Sequence, residues 1–402
     1  MVVGIGGGGL QGLGLALELA RRGVSVEVLE KEARCLQQAS RQNEGKIHLG
    51  FVFANDTSFH TARLMIEGAY TFQQIVESWL ERPAAWIVSR PFEYLVHRDS
   101  LVPPDELEAR YRQIGAFIEM AAQTYGAGAY FGAEGHRPVR RLRFAELRSR
   151  FGPDVQAAFE TGEIAIDPEC LSRQLEQRVM EDPGIRLETG CRVVRACPER
   201  DAVAVEIEKD GVKEIRRYDH FVNCTWEDLV RLDRTAGVEP VADWSYRIKH
   251  FVRVRRAGQR GVPSVTIVLG GFGDVVNYGQ DYFLSWYPVG RLGFTTDAVI
   301  PAWPRTLAGA EAKSVEAGIR GALTALVPAL QTLPANGAVH SEVLGGIIYA
   351  LGTKEVNDPQ SGLHQRYAVG PRTFGRYHTI DTGKYTVAPL FARRLADALI
   401  AG

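Results

Sequence analysis

A run of glycines near the beginning of the chain restricts its fold more than any other feature of the sequence. Residues 6–12 read Gly-Gly-Gly-Gly-Leu-Gln-Gly, and they contain the pattern GxGxxG at Gly7, Gly9 and Gly12. The apolar residues before this run predict a short buried strand, and residues 10–22 carry apolar side chains at the spacing of an amphipathic helix. A glycine-rich turn between a strand and a helix is typical of an α/β fold that binds phosphate at the helix N-terminus.

Each glycine of the pattern has a physical purpose in such a turn. Gly7 permits a tight turn, Gly9 lets a pyrophosphate approach the backbone, and Gly12 lets the helix pack closely on the strand. A second strand is expected at 24–29, and it leads to Glu30, where a carboxylate accepts hydrogen bonds from a ribose diol. A negative charge there disfavours the 2′-phosphate of NADP. The sequence therefore predicts a dinucleotide site, and this element alone leaves FAD and NAD both open.

Charge and cysteine content argue against several other classes of protein. The chain has 402 residues with 47 Lys plus Arg against 48 Asp plus Glu, and this balance argues against a nucleic-acid partner. Its five cysteines form no CxxC pair and no zinc-like spacing with the nine histidines, so we expect reduced thiols, no metal site and a cytoplasmic location. No apolar run in the sequence approaches the ~20 residues of a membrane span. The glycine-rich start lacks the basic residues of a signal peptide, so we interpret it as folded structure.

Residues 39–51 carry a second pattern, directly beyond the expected ribose-binding acid. They read Ala-Ser-Arg-Gln-Asn-Glu-Gly-Lys-Ile-His-Leu-Gly-Phe. The Ser, the Asn-x-Gly and the Ile-His-x-Gly of this segment resemble the D-amino-acid oxidase (DAO) superfamily of FAD enzymes. The similarity is greatest to the branch that contains L-2-hydroxyglutarate and glycerol-3-phosphate dehydrogenases. The resemblance implies a loop that runs along the pyrophosphate of FAD and ends under the isoalloxazine ring.

Later segments fit the same family. Residues 163–168 resemble the lead into a helix that returns to the FAD domain. Residues 190–194 resemble a strand whose backbone contacts adenine, and the match implies Val194 as that contact. Residues 221–226 resemble a strand end at which the family has a glycine, but Trp226 stands in its place here, so the local turn is left open.

The glycine turn and the resemblance together imply a set of contacts with FAD. The residues expected to contact FAD are Gly7, Gly9, Leu10, Gln11, Gly12, Glu30, Lys31, Ser40, Asn43, Gly45, Ile47, His48, Val194, Thr225, Gly383, Lys384, Tyr385 and Thr386.

His48 and Lys384 are the first two candidate catalytic residues. An imidazole beside the flavin can accept a substrate proton, and the alternative is that His48 only bonds the cofactor or the backbone. Residues 381–389 are similar to the C-terminal element that faces the flavin pyrimidine, ahead of an apolar helix at 390–400. Lys384 would stabilise the negative charge of a reduced flavin there, and the alternative is a solvated surface lysine.

A cluster of basic residues before this loop supplies the remaining candidates. His364 is a candidate base, and Arg366 is a candidate ligand for a substrate carboxylate. Arg372 and Arg376 are alternatives for the same anion, and each of these residues could be structural instead. Aromatic residues of the run 282–287, namely Tyr282, Trp286 and Tyr287, are candidates for lining the substrate pocket.

The predicted architecture is an α/β fold with a Rossmann-type FAD-binding domain assembled from separated segments. These segments are 1–84, 156–235 and 331–402. An interleaved, mainly β substrate domain with helices takes 85–155 and 236–330. Within it, strand-like runs lie at 248–254, 264–269 and 282–287, and helices are expected at 105–125 and 311–326. The active site is expected where the two domains meet.

The function that this resemblance implies is an FAD-dependent oxidoreductase. We expect oxidation of a C–N bond in a small amine or amino-acid-like substrate by hydride transfer to flavin N5, and the candidate arginine allows that substrate to be an anion. Dioxygen or another acceptor then reoxidises the flavin. One alternative is oxidation of a 2-hydroxy acid or a related alcohol, and a second is a flavin-binding subunit without catalysis. An NAD-dependent dehydrogenase would explain the glycine turn but not the C-terminal loop.

Overall fold

The computed structural model describes residues 1–132, 137–258, 261–334 and 340–401. Its strands are β1 (Val2–Gly6), β2 (Ser25–Glu30), β3 (Lys46–Ile47), β4 (Phe92–His97), β5 (Arg140–Arg141), β6 (Val155–Glu160), β7 (Ile164–Ala165), β8 (Ile185–Thr189), β9 (Cys191–Pro198), β10 (Val203–Lys209), β11 (Val212–Tyr218), β12 (His220–Asn223), β13 (Trp244–Arg255), β14 (Ser264–Val268), β15 (Gly273–Asn277), β16 (Tyr282–Trp286), β17 (Arg291–Thr295), β18 (Thr306–Leu307), β19 (His340–Leu351), β20 (Gly370–Phe374) and β21 (Tyr377–Asp381).

Its α-helices are α1 (Leu10–Ala20), α2 (His60–Leu80), α3 (Pro104–Tyr125), α4 (Phe144–Arg150), α5 (Pro168–Glu181), α6 (Leu229–Thr235), α7 (Tyr287–Gly290), α8 (Gly309–Leu326) and α9 (Ala388–Ala401).

The glycine turn belongs to a smaller, mostly parallel sheet with the strand order β20-β21-β12-β1-β2-β8. β1 lies at its centre and pairs in parallel with both β2 and β12, while β21 extends the sheet in parallel beyond β12. Alternate residues of each strand face opposite sides. Val28 and Val222 face the core shared with α1, α2 and α9, whereas Leu29 and Phe221 face the meander β9-β10-β11. The predicted Rossmann-type unit is therefore confirmed as a three-layer arrangement.

A larger, mixed sheet forms the second half of the molecule. Its strand order is β18-β19-β13-β16-β15-β14-β4-β6-β5, with β17 also paired to β13. One face carries the apolar side chains of α8, such as Ile319 and Leu323. The opposite face presents Phe251 and Phe283, whose stacked rings lie 4.4 Å apart, to the cavity described below.

The helices predicted at 105–125 and 311–326 are confirmed as α3 and α8, and the C-terminal helix at 390–400 is confirmed as α9. Strand pairing corrects two of the expected domain boundaries. β6 and β19 were placed in the FAD-binding segments, but β6 pairs with β4 and β19 pairs with β13 in the larger sheet. The apolar run of β19 is interrupted by a Gly-Gly pair, and nothing in its sequence indicates which strand it pairs with. Its place in the larger sheet is known only from its pairing with β13.

The five cysteines carry no disulfide bond. Within the described ranges, no helix is long and apolar enough to cross a bilayer. The same residues contain no cluster of three or more His, Cys, Asp or Glu side chains suited to a metal ion.

Two glycine-to-alanine substitutions should shift stability in opposite directions. In α1, a Cβ on Gly14 would lie 2.5 Å from the buried ring of Trp79, so Gly14→Ala should destabilise the protein by about 1–3 kcal/mol. In α3, a Cβ on Gly115 would meet nothing within 4 Å, so Gly115→Ala should stabilise the helix by up to about 1 kcal/mol. Thermal unfolding of both variants measures this difference. Equal effects would contradict the packing of α1 against α2.

Candidate functional site

A long cavity follows the carboxyl ends of the smaller sheet and continues under the larger one. The glycine turn forms one wall, the loop between β2 and β3 forms a second, and the loop at 382–385 closes the far end. Strands β13, β15 and β16 contribute the side that faces away from the turn.

Backbone contacts hold the glycine turn in place. Gly7 has φ of +102°, and a Cβ there would lie 2.5 Å from the carbonyl oxygen of Cys224. A Cβ on Gly12 would lie 2.0 Å from the carbonyl oxygen of Gly7, so the helix start rests directly on the turn. Gly9, the N-cap of α1, has no side chain to cap the helix, and the N–H of Leu10 donates a 2.8 Å hydrogen bond to Ser40 Oγ instead. The positive end of the helix faces the cavity. The turn is thus shaped to receive an anion.

Glu30 occupies the end of β2 beside this turn. Its Oε2 accepts a hydrogen bond of 2.6 Å from the N–H of Gly8, and its Oε1 accepts one of 2.8 Å from the N–H of Glu32. Burial raises the pKa of Glu30, and the two backbone bonds oppose that rise. Since a carboxylate has about four acceptor positions, both oxygens retain capacity for a ribose diol.

Trp226, which stands where the family has glycine, keeps the turn by adopting φ of +55°. Its indole N–H donates a 2.9 Å hydrogen bond to the carbonyl oxygen of Ile347 on β19. The next residue, Glu227, is buried and lies 2.9 Å from Lys31 Nζ and 3.0 Å from Arg305 Nη2. The residues 226–227 therefore connect the smaller sheet to the larger one, a role that a glycine could not have.

Gln11 connects the glycine turn with the C-terminal loop. Its Oε1 accepts a 3.1 Å hydrogen bond from the hydroxyl of Thr382. Its Nε2 is buried and has no hydrogen-bond partner among the described residues, although a buried donor of this kind is normally satisfied. A dinucleotide lying along the cavity would supply the missing acceptor. The acid, the glycine turn and this orphaned amide together fit an extended cofactor such as FAD.

His48 lies at the far end of the cavity, on the loop that follows β3. Its backbone N–H donates a 2.9 Å hydrogen bond to Thr386 Oγ1, and the hydroxyl of Thr386 donates a 3.1 Å bond to the carbonyl oxygen of Lys46. The imidazole packs edge-on against Phe53 at 5.4 Å. Burial lowers the pKa of His48, Glu163 opposes this, and two nearby lysines lower it further. The ring is therefore neutral at physiological pH.

Lys384 and Arg366 bring positive charge to the same end. Burial lowers the pKa of Lys384 to about 8, Glu44 opposes the shift, and Arg366 adds to it. The Lys384 ammonium lies 5.6 Å from the centre of the Phe53 ring. Arg366 is buried, and its Nη1 donates a 2.9 Å bond to the carbonyl oxygen of Tyr349, whereas its Nε has no partner in the part of the chain that the structure describes.

The larger sheet adds a group of charges that the sequence analysis missed. Asp274 on β15 accepts a short hydrogen bond from Lys46 Nζ, and Lys249 on β13 lies 3.8 Å from its other oxygen. Lys46 also donates a short hydrogen bond to Thr266. Burial would raise the pKa of Asp274, but the two lysines hold it far below its usual range. A lysine within the buried Gly-Lys-Ile-His run was the available signal, and nothing in the sequence pointed to Asp274.

Comparison with known proteins identifies the family to which this chain belongs. The family model described as FAD dependent oxidoreductase (DAO) matches residues 3–355. The chain belongs to the DAO family of FAD-dependent oxidoreductases. It is therefore an oxidoreductase whose cofactor is FAD and not NAD. When bound, FAD supplies the hydride acceptor at its flavin ring.

Solved structures agree with this family at the level of the fold. Glycine oxidase from Geobacillus kaustophilus is 17% identical with a TM-score of 0.66, and the match covers 99% of this chain and 93% of that one. An FAD-bound L-α-glycerophosphate oxidase from Mycoplasma pneumoniae is 17% identical with a TM-score of 0.66, covering 100% and 95%. Iminodiacetate oxidase from Chelativorans sp. BNC1 is 15% identical with a TM-score of 0.65, covering 99% and 95%. No curated protein sequence matches the chain.

The DAO-family cavity brings together most of the residues that the sequence predicted for it. Those that line it are Gly7, Gly9, Leu10, Gln11, Glu30, Lys31, Ser40, Asn43, His48, Thr225, His364, Arg366, Gly383, Lys384 and Tyr385. Whether each contacts FAD stays a prediction.

The other predicted contacts lie behind this lining. Gly12 supports the turn, and a Cβ on Gly45 would lie 1.9 Å from the carbonyl oxygen of Ile166. Ile47 is in the apolar core, and Thr386 ties two loops together. The carbonyl oxygen of Val194 accepts a 2.7 Å hydrogen bond from Arg231 Nη1, and Val194 is not among the residues that line the cavity, so its contact with adenine stays a prediction.

The structure also separates the candidate substrate residues. His364 borders the cavity, but its Nε2 lies 3.0 Å from the carbonyl oxygen of Val356, which argues for an anchoring role rather than a base. Arg372 pairs with Asp233, and Arg376 donates to the carbonyl oxygen of Asp219; neither lines the cavity.

The aromatic residues of the run at 282–287 face different ways. Tyr287 borders the cavity. Tyr282 and Trp286 instead pack into the core on the other face of the larger sheet, because residues of one strand alternate between its faces. A pocket role for Tyr282 and Trp286 is therefore wrong.

A branched side chain at Gly9 should prevent FAD retention. A Cβ there already lies 3.0 Å from Ser40 Oγ, and further atoms would project into the space of the cofactor. Overpacking of about 1–3 kcal/mol corresponds to about 5- to 160-fold weaker binding of FAD by Gly9→Val. FAD titration of the apoprotein measures it, with Gly115→Val in the open part of α3 as the control. Unchanged FAD affinity in Gly9→Val would contradict the binding of FAD at the glycine turn.

Proposed function

We propose that this oxidoreductase oxidises the C–N bond of a small, anionic amine or amino-acid-like substrate, with hydride transfer to flavin N5. The observation that carries the proposal is a buried imidazole that borders the same end of the cavity as several cationic side chains. His48 is buried there with a lowered pKa, and Lys249, Lys384 and Arg366 border the same space.

The cationic side chains at this end support binding of an anionic substrate. They are Lys46, Lys249, Lys384 and Arg366; the carboxylates of the region are Glu44 and Asp274 in the lining and Glu163 and Asp381 behind it. Asp274 is already shared between Lys46 and Lys249. The Nε of Arg366 has no hydrogen-bond partner among the residues described, and a guanidinium binds a carboxylate through two parallel hydrogen bonds. These groups support recognition of a substrate carboxylate.

The neutral imidazole supports the proton transfer that amine oxidation requires. An ammonium substrate must lose a proton before its α-hydrogen can leave as hydride, and the product is an imine. The ring of His48 can take that proton because it is uncharged at physiological pH. The surrounding cations also favour the unprotonated amine over the ammonium form. When bound, FAD would accept the hydride and would pass its electrons to dioxygen or another acceptor.

Two of the similar structures support the choice of a C–N bond. Their names are glycine oxidase and iminodiacetate oxidase, and both names refer to amino compounds that carry carboxylates.

Oxidation of a 2-hydroxy acid or related alcohol is the second candidate. His48 can accept a hydroxyl proton in the same way, and the Ile47–His48 segment resembles the hydroxyglutarate and glycerophosphate branch. The structure of the glycerophosphate oxidase is as similar to this chain as that of glycine oxidase.

A panel of matched substrates separates the two candidates. Each amino acid is paired with the 2-hydroxy acid of the same carbon skeleton and mixed anaerobically with the FAD-loaded enzyme, and flavin absorbance is followed. The proposal expects bleaching by amino members of the panel. Bleaching by the hydroxy members alone would favour the second candidate, and no bleaching by any member would contradict both.

Binding of an anionic substrate should weaken as the pH rises through about 8. Lys384 carries its charge below that pKa and loses it above, so attraction for the anion falls with rising pH. Loss of a charged hydrogen bond of about 1.5–3 kcal/mol weakens binding by about 10- to 100-fold. The pH profile of kcat/KM measures this.

Two variants serve as controls for this profile. Lys384→Arg should move the fall to higher pH, since a guanidinium stays charged. Lys384→Met should be weak at every pH and lose the step near 8. A step that persists unchanged in Lys384→Met would assign it to another group.

A further inference from the structure

Glu163 is a buried carboxylate immediately behind His48, and no catalytic role has been given to it above. It precedes β7 and has no exposed surface. Its Oε2 accepts a 2.6 Å hydrogen bond from the N–H of Leu49, and its Oε1 accepts a short bond from the hydroxyl of Tyr94. Burial of a charged carboxylate is unfavourable unless it is paired and hydrogen-bonded, so the position of Glu163 inside the protein needs a physical reason.

The nearest described group to this carboxylate on the cavity side is the ring of His48. His48 Nδ1 lies 3.5 Å from Glu163 Oε1, is itself buried, and has no hydrogen-bond partner among the residues that the structure describes. A carboxylate only accepts hydrogen bonds, and a bare ring nitrogen facing it would oppose one lone pair with another. The proton of the neutral ring therefore belongs on Nδ1, and contraction of this contact would satisfy both atoms.

We propose that Glu163 is a positioning residue that fixes His48 in the tautomer with hydrogen on Nδ1, which leaves Nε2 as the proton acceptor towards the cavity. The tautomer follows from the contact between Nδ1 and the carboxylate once the ring is neutral, whereas the use of Nε2 on a substrate rests on the proposed function. His48 and Glu163 correspond to the base and the orienter of a nucleophile–base–orienter series, in which the orienter acts only through the base.

The charged groups around the pair are consistent with this state. Burial raises the pKa of Glu163, but His48, Lys46 and the bond from Tyr94 bring it below its usual value, so the carboxylate is ionised. For His48, burial lowers the pKa and Glu163 opposes this, while Lys384 and Lys46 lower it further. An ionised carboxylate thus faces a neutral ring at physiological pH.

Substitution by glutamine should reverse the tautomer. The N–H of Leu49 is a fixed donor, so the amide oxygen of Glu163→Gln must take the position of Oε2. The amide NH2 then occupies the position of Oε1 and donates to His48 Nδ1. The ring proton moves to Nε2, where it blocks proton acceptance from a substrate.

The tautomer can be read directly by NMR of the full chain labelled with ¹⁵N-histidine, with and without FAD. His48→Gln identifies the resonances of His48. We expect the Nδ1–H form in the wild-type protein and in Tyr94→Phe, which keeps the carboxylate, and the Nε2–H form in Glu163→Gln.

The control is Glu160→Gln, since Glu160 pairs with Arg140 at the protein surface. An Nε2–H form in the wild type, or no change in Glu163→Gln, would overturn the proposal. If Glu163→Gln does not fold, the wild-type and Tyr94→Phe spectra still decide.

Anaerobic flavin reduction separates this inference from the proposed function. With a substrate that bleaches the flavin, Glu163→Gln should reduce the rate by about 100-fold or more, with substrate affinity nearly unchanged. If substrate affinity fell by that factor while the rate of flavin reduction stayed unchanged, the positioning role would be contradicted. A tautomer that reverses as expected while no amine or hydroxy acid bleaches the wild-type flavin would leave the inference standing and reject the proposed function.

Discussion

Parallel strand pairing is the constraint on which the rest of the molecule depends. β2, β1, β12 and β21 lie side by side and run in the same direction, so their carboxyl ends share one edge of the sheet. Glu30, the glycine turn, Thr225 and the loop after Asp381 follow those four ends. Ligands of open parallel sheets bind at this edge. The first turn and the last loop of the chain are distant in sequence, and the pairing makes them one site.

The two ends of the cavity have different electrostatic tasks. The end at the glycine turn offers helix N–H groups to a diphosphate and a carboxylate to a ribose. The far end gathers lysines and an arginine beneath the larger sheet, with His48 kept neutral among them. We propose that the first end binds the diphosphate of the cofactor and that the cations of the second end bind a substrate anion. The junction at 226–227, with its bonds to Ile347 and Arg305, couples the two halves.

The sequence predicted those elements whose signals lie within a few consecutive residues. The βαβ unit, α3, α8 and the His48 loop follow from spacing, turn chemistry and family resemblance, and the structure has them where they were expected. The charged group on the larger sheet could not be predicted, because Asp274 meets Lys46 only through pairings between distant strands. The same reason explains the misplaced β19 and the wrong face of Tyr282. Glu163 lay within a recognised segment, but its bond to Leu49 depends on how two remote loops meet.

The central claim is that one FAD molecule spans from the glycine turn to the C-terminal loop. Hydrogen–deuterium exchange of the apoprotein, with and without added FAD, tests it most directly. The account predicts slower amide exchange on FAD binding in the peptides that cover residues 8–13 and 382–387 together. Protection confined to the first of these peptides would contradict it, because the cofactor would then end before reaching the residues assigned to the chemistry.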